Sequence, residues 1–456
     1  MEQSHSLTEG KILGSLIRFA LPVFLALFLQ ALYGGVDLLV VGQFAHTEDV
    51  SGVSSGSMLM QTVTMIITGL SMGITILVGQ RIGARKPEEA GRAVGTGICL
   101  FAVFAVILTI VLVFGSGIIA ELLHAPREAF DETSIYIRIC GAGAVFIVAY
   151  NVLGAIFRGI GDSKMPLLTV AIACVLNILG DLLFVAVFHM GTAGAALATA
   201  MSQAVSVLVS LLIIRKRALP FRFSRSYIRF NGSIIRTELK LGSPVALQEL
   251  LVGMSFLIIQ TIVNTMGVIP SAGVGVAEKV CTFLMLVPSA YMQSMSAFVA
   301  QNIGAGRQDR AKSALGCGIA TSVAVGIVMA ALAFFFGNLL AAIFSKDPQV
   351  IAAAHTYLRA YAIDCLLVSL LFCFTGYYNG CGKTFFVMIQ GIVGAFGVRI
   401  PFAYLMSQLA GTTLFHIGLA TPASSFVQII LCLIMFAHLG KKQKRKDKKP
   451  VDKQAS

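Results

Sequence analysis

Gly79-Gln80-Arg81-Ile82-Gly83-Ala84 returns 221 residues later as Ala300-Gln301-Asn302-Ile303-Gly304-Ala305. The same shift carries Tyr136 and Arg138 onto Tyr357 and Arg359, and Gly159 and Gly161 onto Gly380 and Gly382. Pro22-Val23 recurs as Pro244-Val245 with one residue more. Chance does not keep one offset over so long a stretch, so the chain is an internal duplication.

Each copy holds six apolar stretches. They lie near residues 12–42, 52–80, 93–119, 134–157, 165–189 and 191–214, then 240–267, 272–300, 313–339, 350–378, 384–408 and 412–439. Each is close to or above the roughly 20 residues a helix needs to cross the hydrocarbon layer, and too long and continuous for spanning strands of about 9–11 residues. Of the 456 residues 57% are hydrophobic and 12% charged, about half the charge of a soluble domain. The expected fold is an all-α membrane protein of twelve transmembrane helices. Its expected parts are a six-helix lobe over 1–214, a cytoplasmic loop over 215–239, a second lobe over 240–440 and a basic tail over 441–456. Six spans preserve orientation, so the halves are parallel repeats about an axis normal to the membrane. The first stretch exceeds a signal-peptide core of about 7–15 residues and reads as a span. The nine cysteines lack metal-type spacing and read as small core residues without disulfides.

The net charge of +13 is distributed as membrane topology demands. Lys and Arg fill every second connection, most densely from Arg215 to Lys240, and the tail string Lys441-Lys442-Gln443-Lys444-Arg445-Lys446. The alternate connections hold Arg127 and Lys346 among acids such as Glu48, Asp49, Glu121 and Glu128. The positive-inside rule then puts both termini in the cytoplasm. The tail is read as a topology anchor and not as a nucleic-acid contact.

Two carboxylates, Asp37 and Asp181, interrupt otherwise apolar stretches. A charge at the bilayer centre costs about 2.5–3.5 kcal/mol on insertion scales, and such residues usually face a polar interior on an ion pathway. Asn177 lies one helical turn before Asp181. Asp181 sits ~24 Å up its helix from the basic end and Thr199 ~12 Å down the next helix from the opposite face. Asp37, Asn177, Asp181 and Thr199 can therefore meet at one depth. Two neighbouring carboxylates in low dielectric do not both ionise cheaply, so one is set up to bind and release a proton. Their oxygens also suit Na⁺. The plainer alternative is a buried carboxylate held structurally by its neighbours.

Taken in order, several strings resemble the multidrug and toxic compound extrusion (MATE) family over almost the whole chain apart from the tail. They are Pro22 with Asp37 beyond it, the two Gln-x-Ile-Gly-Ala strings, Phe157-Arg158-Gly159-Ile160-Gly161-Asp162 and Asn177-x-x-x-Asp181. The resemblance implies two six-helix lobes forming a V and export of cationic amphiphiles against inward H⁺ or Na⁺. It also implies a cation site at Asp37, Asn177, Asp181 and Thr199, and bending of helix 1 at Pro22, for which a static kink is the alternative. Some members of the family bind Na⁺ in the second half through a helix-7 glutamate and a helix-10 aspartate. Here Glu249 suits the first role, but Asp364 comes about a turn early and Val368 stands near the expected place. Residues 221 beyond Asn177 and Asp181 are Val398 and Phe402, beside Arg399. Glu249, Glu278, Lys279, Asp364 and Arg399 are therefore read as ion-pair or substrate-contact residues.

The 31 phenylalanines and Met254, Met266, Met285, Met292 and Met295 suit apolar cations through dispersion and cation–π contact, though most simply pack. No P-loop, His-Glu-x-x-His or Gly-x-Ser-x-Gly is present, so an enzyme is not expected. The expected partners are small organic cations and the bilayer, with no nucleic acid, no cofactor beyond the coupling ion, and a monomeric chain. The runner-up function is a flippase for lipid-linked saccharides.

Overall fold

The computed structural model describes residues 7–216, 219–221, 224–409 and 411–447, with side chains to Lys441. Arg217, Arg222 and the tail side chains beyond Lys441, all counted in the charge pattern above, lie outside the described set. Among the described residues eleven helices are long and apolar enough to cross a membrane, and a bent pair taken as one span makes a twelfth. We number them α1 Ile12–Phe44, α2 Thr47–Gly83, α3 Pro87–Phe114, α4 Arg127–Ala142 with Ala144–Ile160, α5 Lys164–Val187 and α6 Gly191–Lys216. The second set is α7 Gly232–Asn264, α8 Val268–Gly304, α9 Gln308–Ala342, α10 Pro348–Gly380, α11 Thr384–Ser407 and α12 Leu414–Lys441. The fold is all-helical and multi-pass, as the apolar stretches require. Its surface is apolar where lipid would lie, with Phe114 and Phe335 70% exposed or more, because a bilayer solvates hydrocarbon and helices satisfy their own backbone.

Local chemistry sets the boundaries. Asp49 accepts the His46 amide at the start of α2 and, through Oδ1, the amide and hydroxyl of Thr192 at the start of α6. One carboxylate thus caps two helices. Asp162 accepts the Lys164 and Met165 amides to open α5. Gly161 and Gly382, one repeat apart, close α4 and α10 with φ of +91° and +70°, a left-handed turn that suits glycine. The two parts of α4 meet at 55° around Gly143. α7 starts at Gly232, inside the stretch read as loop. Asn231 Oδ1 accepts the Ser233 and Ile234 amides there, so residues 232–239 are helical.

Packing groups the chain into two compact units. The first holds residues up to Leu250 with Leu286–Gly318 and Thr375–Val387; the second holds Leu251–Met285, Ile319–Phe374 and the chain from Met388. The division does not follow the sequence repeat, because the first unit takes in ends of α7, α8, α9, α10 and α11 from the second copy. The repeated strings show why. A Cβ on Gly83 would run into the Gln301 carbonyl, and one on Gly304 into the Gln80 carbonyl. Gln301 Nε2 donates to Gly159 O at 3.0 Å, and Gln80 Nε2 to Gly380 O at 3.2 Å. Each copy's glutamine satisfies the other copy's helix-end carbonyl, and each copy's glycine admits the other's backbone. This reciprocal clasp is what the 221-residue repeat builds. The segment before α1 crosses nearby: Arg307 donates to Thr8 O, and Arg310 to the Glu9 and Gly10 carbonyls.

Candidate functional site

α1 presents Gln30, Tyr33 and Asp37 at spacings of three and four, hence on one face. α5 presents Asn177 and Asp181 one turn apart, and α6 presents Thr199 and Gln203 likewise. All seven belong to the first unit. Asp37 is 6% exposed, Asn177 1% and Asp181 0%. Thr199 Oγ1 links them, receiving Asn177 Nδ2 at 3.4 Å and donating to Asp37 Oδ2 at 3.4 Å. Both bonds are long, so the geometry is held loosely. Asp37 also meets Asp181 directly. Gly180 lets α6 come this close, since a Cβ there would lie 2.9 Å from that of Ala198.

The polar supply is incomplete. Asp37 Oδ1, Asn177 Oδ1 and both carboxyl oxygens of Asp181 are buried without a hydrogen-bond donor. Two acid side chains that meet as acceptors are reconciled by a positive species, either a proton on one carboxyl or a cation. Buried acceptors left in that state are strongly disfavoured. The donor set of two carboxylates, an amide oxygen and a hydroxyl fits a proton and also a hard cation such as Na⁺. Directly after Asp181 the helix widens into a π-helical turn, Leu182–Val187. Such turns often mark functional sites because they turn side chains out of helical register.

Sequence reasoning missed the surrounding shell. Tyr33 meets Gln203 and feels the Asp37 charge, and Tyr136 on α4, 2% exposed, meets Thr199. Below them Gln30 Nε2 donates to the Tyr150 hydroxyl at 3.3 Å. These residues carry no charge; the signals for them were the three- and four-residue spacing of Gln30, Tyr33 and Asp37 and the recurrence of Tyr136 as Tyr357. α1 runs unbroken through Pro22, which cannot bond the Arg18 carbonyl.

The second-half candidates are distributed differently. Glu249 is half-buried in the first unit, and the other four lie in the second. There Asp364 and Arg399 are 2% and 6% exposed and act on each other electrostatically. Arg399 donates to Ser255 Oγ at 3.0 Å and lies 4.4 Å from the Phe256 ring centroid, and Asp364 meets Ser425. Arg399 ends a second π-helical turn, Val393–Arg399. Glu278 is half-buried and Lys279 exposed. Among the described residues no ion pair within 4.0 Å joins any of these five.

With that geometry in place, comparison with known proteins is direct. The sequence model of the MatE family matches residues 22–183 and again residues 244–405, so the duplication is a duplication of this unit. The chain is 26% identical to "Probable multidrug resistance protein YoeA" of Bacillus subtilis over 94% of either chain. It is 22% identical to "Multidrug export protein MepA" of Staphylococcus aureus, over 90% of this chain and 91% of that one. Among solved structures, "Crystal structure of MATE in complex with MaL6" superposes with a TM-score of 0.91 at 20% identity, over 97% of this chain and all of that one.

Proposed function

The chain belongs to the MatE family, and on that premise we propose that it is a secondary antiporter that exports cationic amphiphilic compounds in exchange for H⁺ or Na⁺. The observation that carries this reading is the buried meeting of Asp37, Asn177, Asp181 and Thr199, with four buried acceptor oxygens that have no hydrogen-bond donor. Binding of the ion there neutralises two carboxylates in low dielectric; its release leaves them repelling each other. That difference in free energy between loaded and empty states is what an alternating-access cycle needs to couple ion to cargo. The helix-1 proline supports bending of α1 as the moving part. The relatives, named as multidrug resistance and export proteins, support the drug class. No observation favours a saccharide flippase.

Cells that produce the chain retain less of a lipophilic fluorescent cation than control cells, and no less of its uncharged analogue. Equal retention of the cation would refute the reading. The basic connections support the reading that both termini and the 215–239 stretch lie in the cytoplasm. A reporter fused after Ser456 is therefore active only if it works on the cytoplasmic side; activity of an exclusively external reporter contradicts this.

The second half lacks the helix-5 pair, with Val398 and Phe402 at the repeat positions and the fixed charge of Arg399 beside them. That charge opposes a second cation. Glu249→Gln and Asp364→Asn accordingly shift the apparent affinity for substrate and leave ion coupling in place, measured as substrate dependence of uptake with and without an ion gradient. Loss of gradient dependence in Glu249→Gln with its retention in Asp37→Asn reverses the assignment.

A further inference from the structure

A third buried acid of the first unit takes no part in that cluster. Glu238, on the second turn of α7, is 2% exposed, and neither carboxyl oxygen has a hydrogen-bond partner. The helices around it cross with almost no side chain between them. A Cβ on Gly73 of α2 would run into the Glu238 carbonyl, one on Gly242 of α7 into the Leu70 carbonyl, and one on Gly69 would lie 2.7 Å from the Ala246 amide nitrogen. On the third side a Cβ on Gly97 of α3 would lie 3.3 Å from Glu238 Oε1. Small residues on α2, α3 and α7 thus close the backbone around one carboxyl group, as tight membrane helix pairs do.

Among the described residues no ion pair within 4.0 Å reaches it. α2 brings Gly73 and Ile74 to this point and α3 brings Gly97. Arg236 and Lys240, two residues away on α7, point to other faces and are exposed, as is Arg229, whose carbonyl takes the Thr96 hydroxyl. The Tyr227 ring lies farther along α3, against Gly91. The other copy shows that the fold does not require an acid. With the 222-residue offset that relates Pro22 to Pro244, the counterpart of Glu238 is Leu16, wholly buried. An unpartnered buried carboxylate is unfavourable, and such a group neutralises by taking up a proton. An ionisable residue in place of an available leucine marks a site of use.

We propose that Glu238 is a proton-binding site separate from the Asp37–Asp181 pair, neutral while α2, α3 and α7 are closed around it and ionised when they part and water reaches it. Its place in a transport cycle rests on the antiport reading above; its protonation in the closed crossing does not. Infrared spectroscopy of the purified protein in lipid separates the two. At neutral pH the wild type and the Asp37→Asn variant show a protonated-carboxyl stretch that Glu238→Gln lacks, and the isosteric amide keeps the thermal stability of the wild type. Identical carboxyl bands in wild type and Glu238→Gln overturn the proposal. In vesicles, export by the wild type responds to the pH on the side of the Arg215–Lys240 connection. That response is lost in Glu238→Gln and Glu238→Leu and kept in Glu238→Asp. An unchanged pH response in the Gln and Leu variants overturns the coupled role.

Discussion

Asp37→Asn and Asp181→Asn each reduce gradient-driven export to the level of membranes without the protein, while abundance stays near normal. An amide at either position imitates the protonated acid in size and polarity but cannot release a charge. The pair then never alternates between a neutralised and a repelling state, and the cation gradient does no work on the protein. Folding is preserved because the amide supplies a donor to a site whose acceptors have none: Asp37 Oδ1, Asn177 Oδ1 and both Asp181 oxygens. Abundance measured beside drug resistance separates the two effects. Full export by either variant would make that carboxylate structural.

The second large effect concerns the clasp. Gly83→Val and Gly304→Val each destabilise the protein by about 1–3 kcal/mol or more, the range for overpacking, read as earlier thermal unfolding in detergent. The cause is direct: a side chain at either glycine meets the opposite copy's glutamine carbonyl, which is backbone and cannot step aside. Elsewhere in a helix, replacing glycine by alanine stabilises by about 0.4–1 kcal/mol through the unfolded chain. The sign therefore decides. Unchanged or raised stability in Gly83→Ala would mean that the two strings do not touch.

The clasp also shows what was legible in the sequence. Gln80, Gly83 and their echoes stand out because a reciprocal contact imposes the same residue types twice at one offset. The twelve spans are legible because the bilayer imposes a length on each. Asp37, Asn177 and Asp181 are legible because charge and amide in apolar context have few uses. Tyr33, Tyr136 and Gln203, which complete that site, are uncharged and look like ordinary residues of an apolar helix. Glu238 escaped for a different reason. Its neighbours Arg236 and Lys240 made the segment read as a basic loop, although Asn231 before Gly232 is a helix-start signal. The bend of α4 at Gly143 was illegible, since isolated glycines are common in membrane helices and only the approach of Ala200 to Gly143 distinguishes this one.

The most direct test of the coupling site is uptake of a fluorescent organic cation into inside-out vesicles under proton and sodium gradients imposed one at a time. Wild-type protein takes up the cation under at least one of the two gradients, and Asp181→Asn under neither. Gradient-driven uptake by Asp181→Asn at the wild-type rate would contradict the assignment of coupling to the Asp37–Asp181 pair.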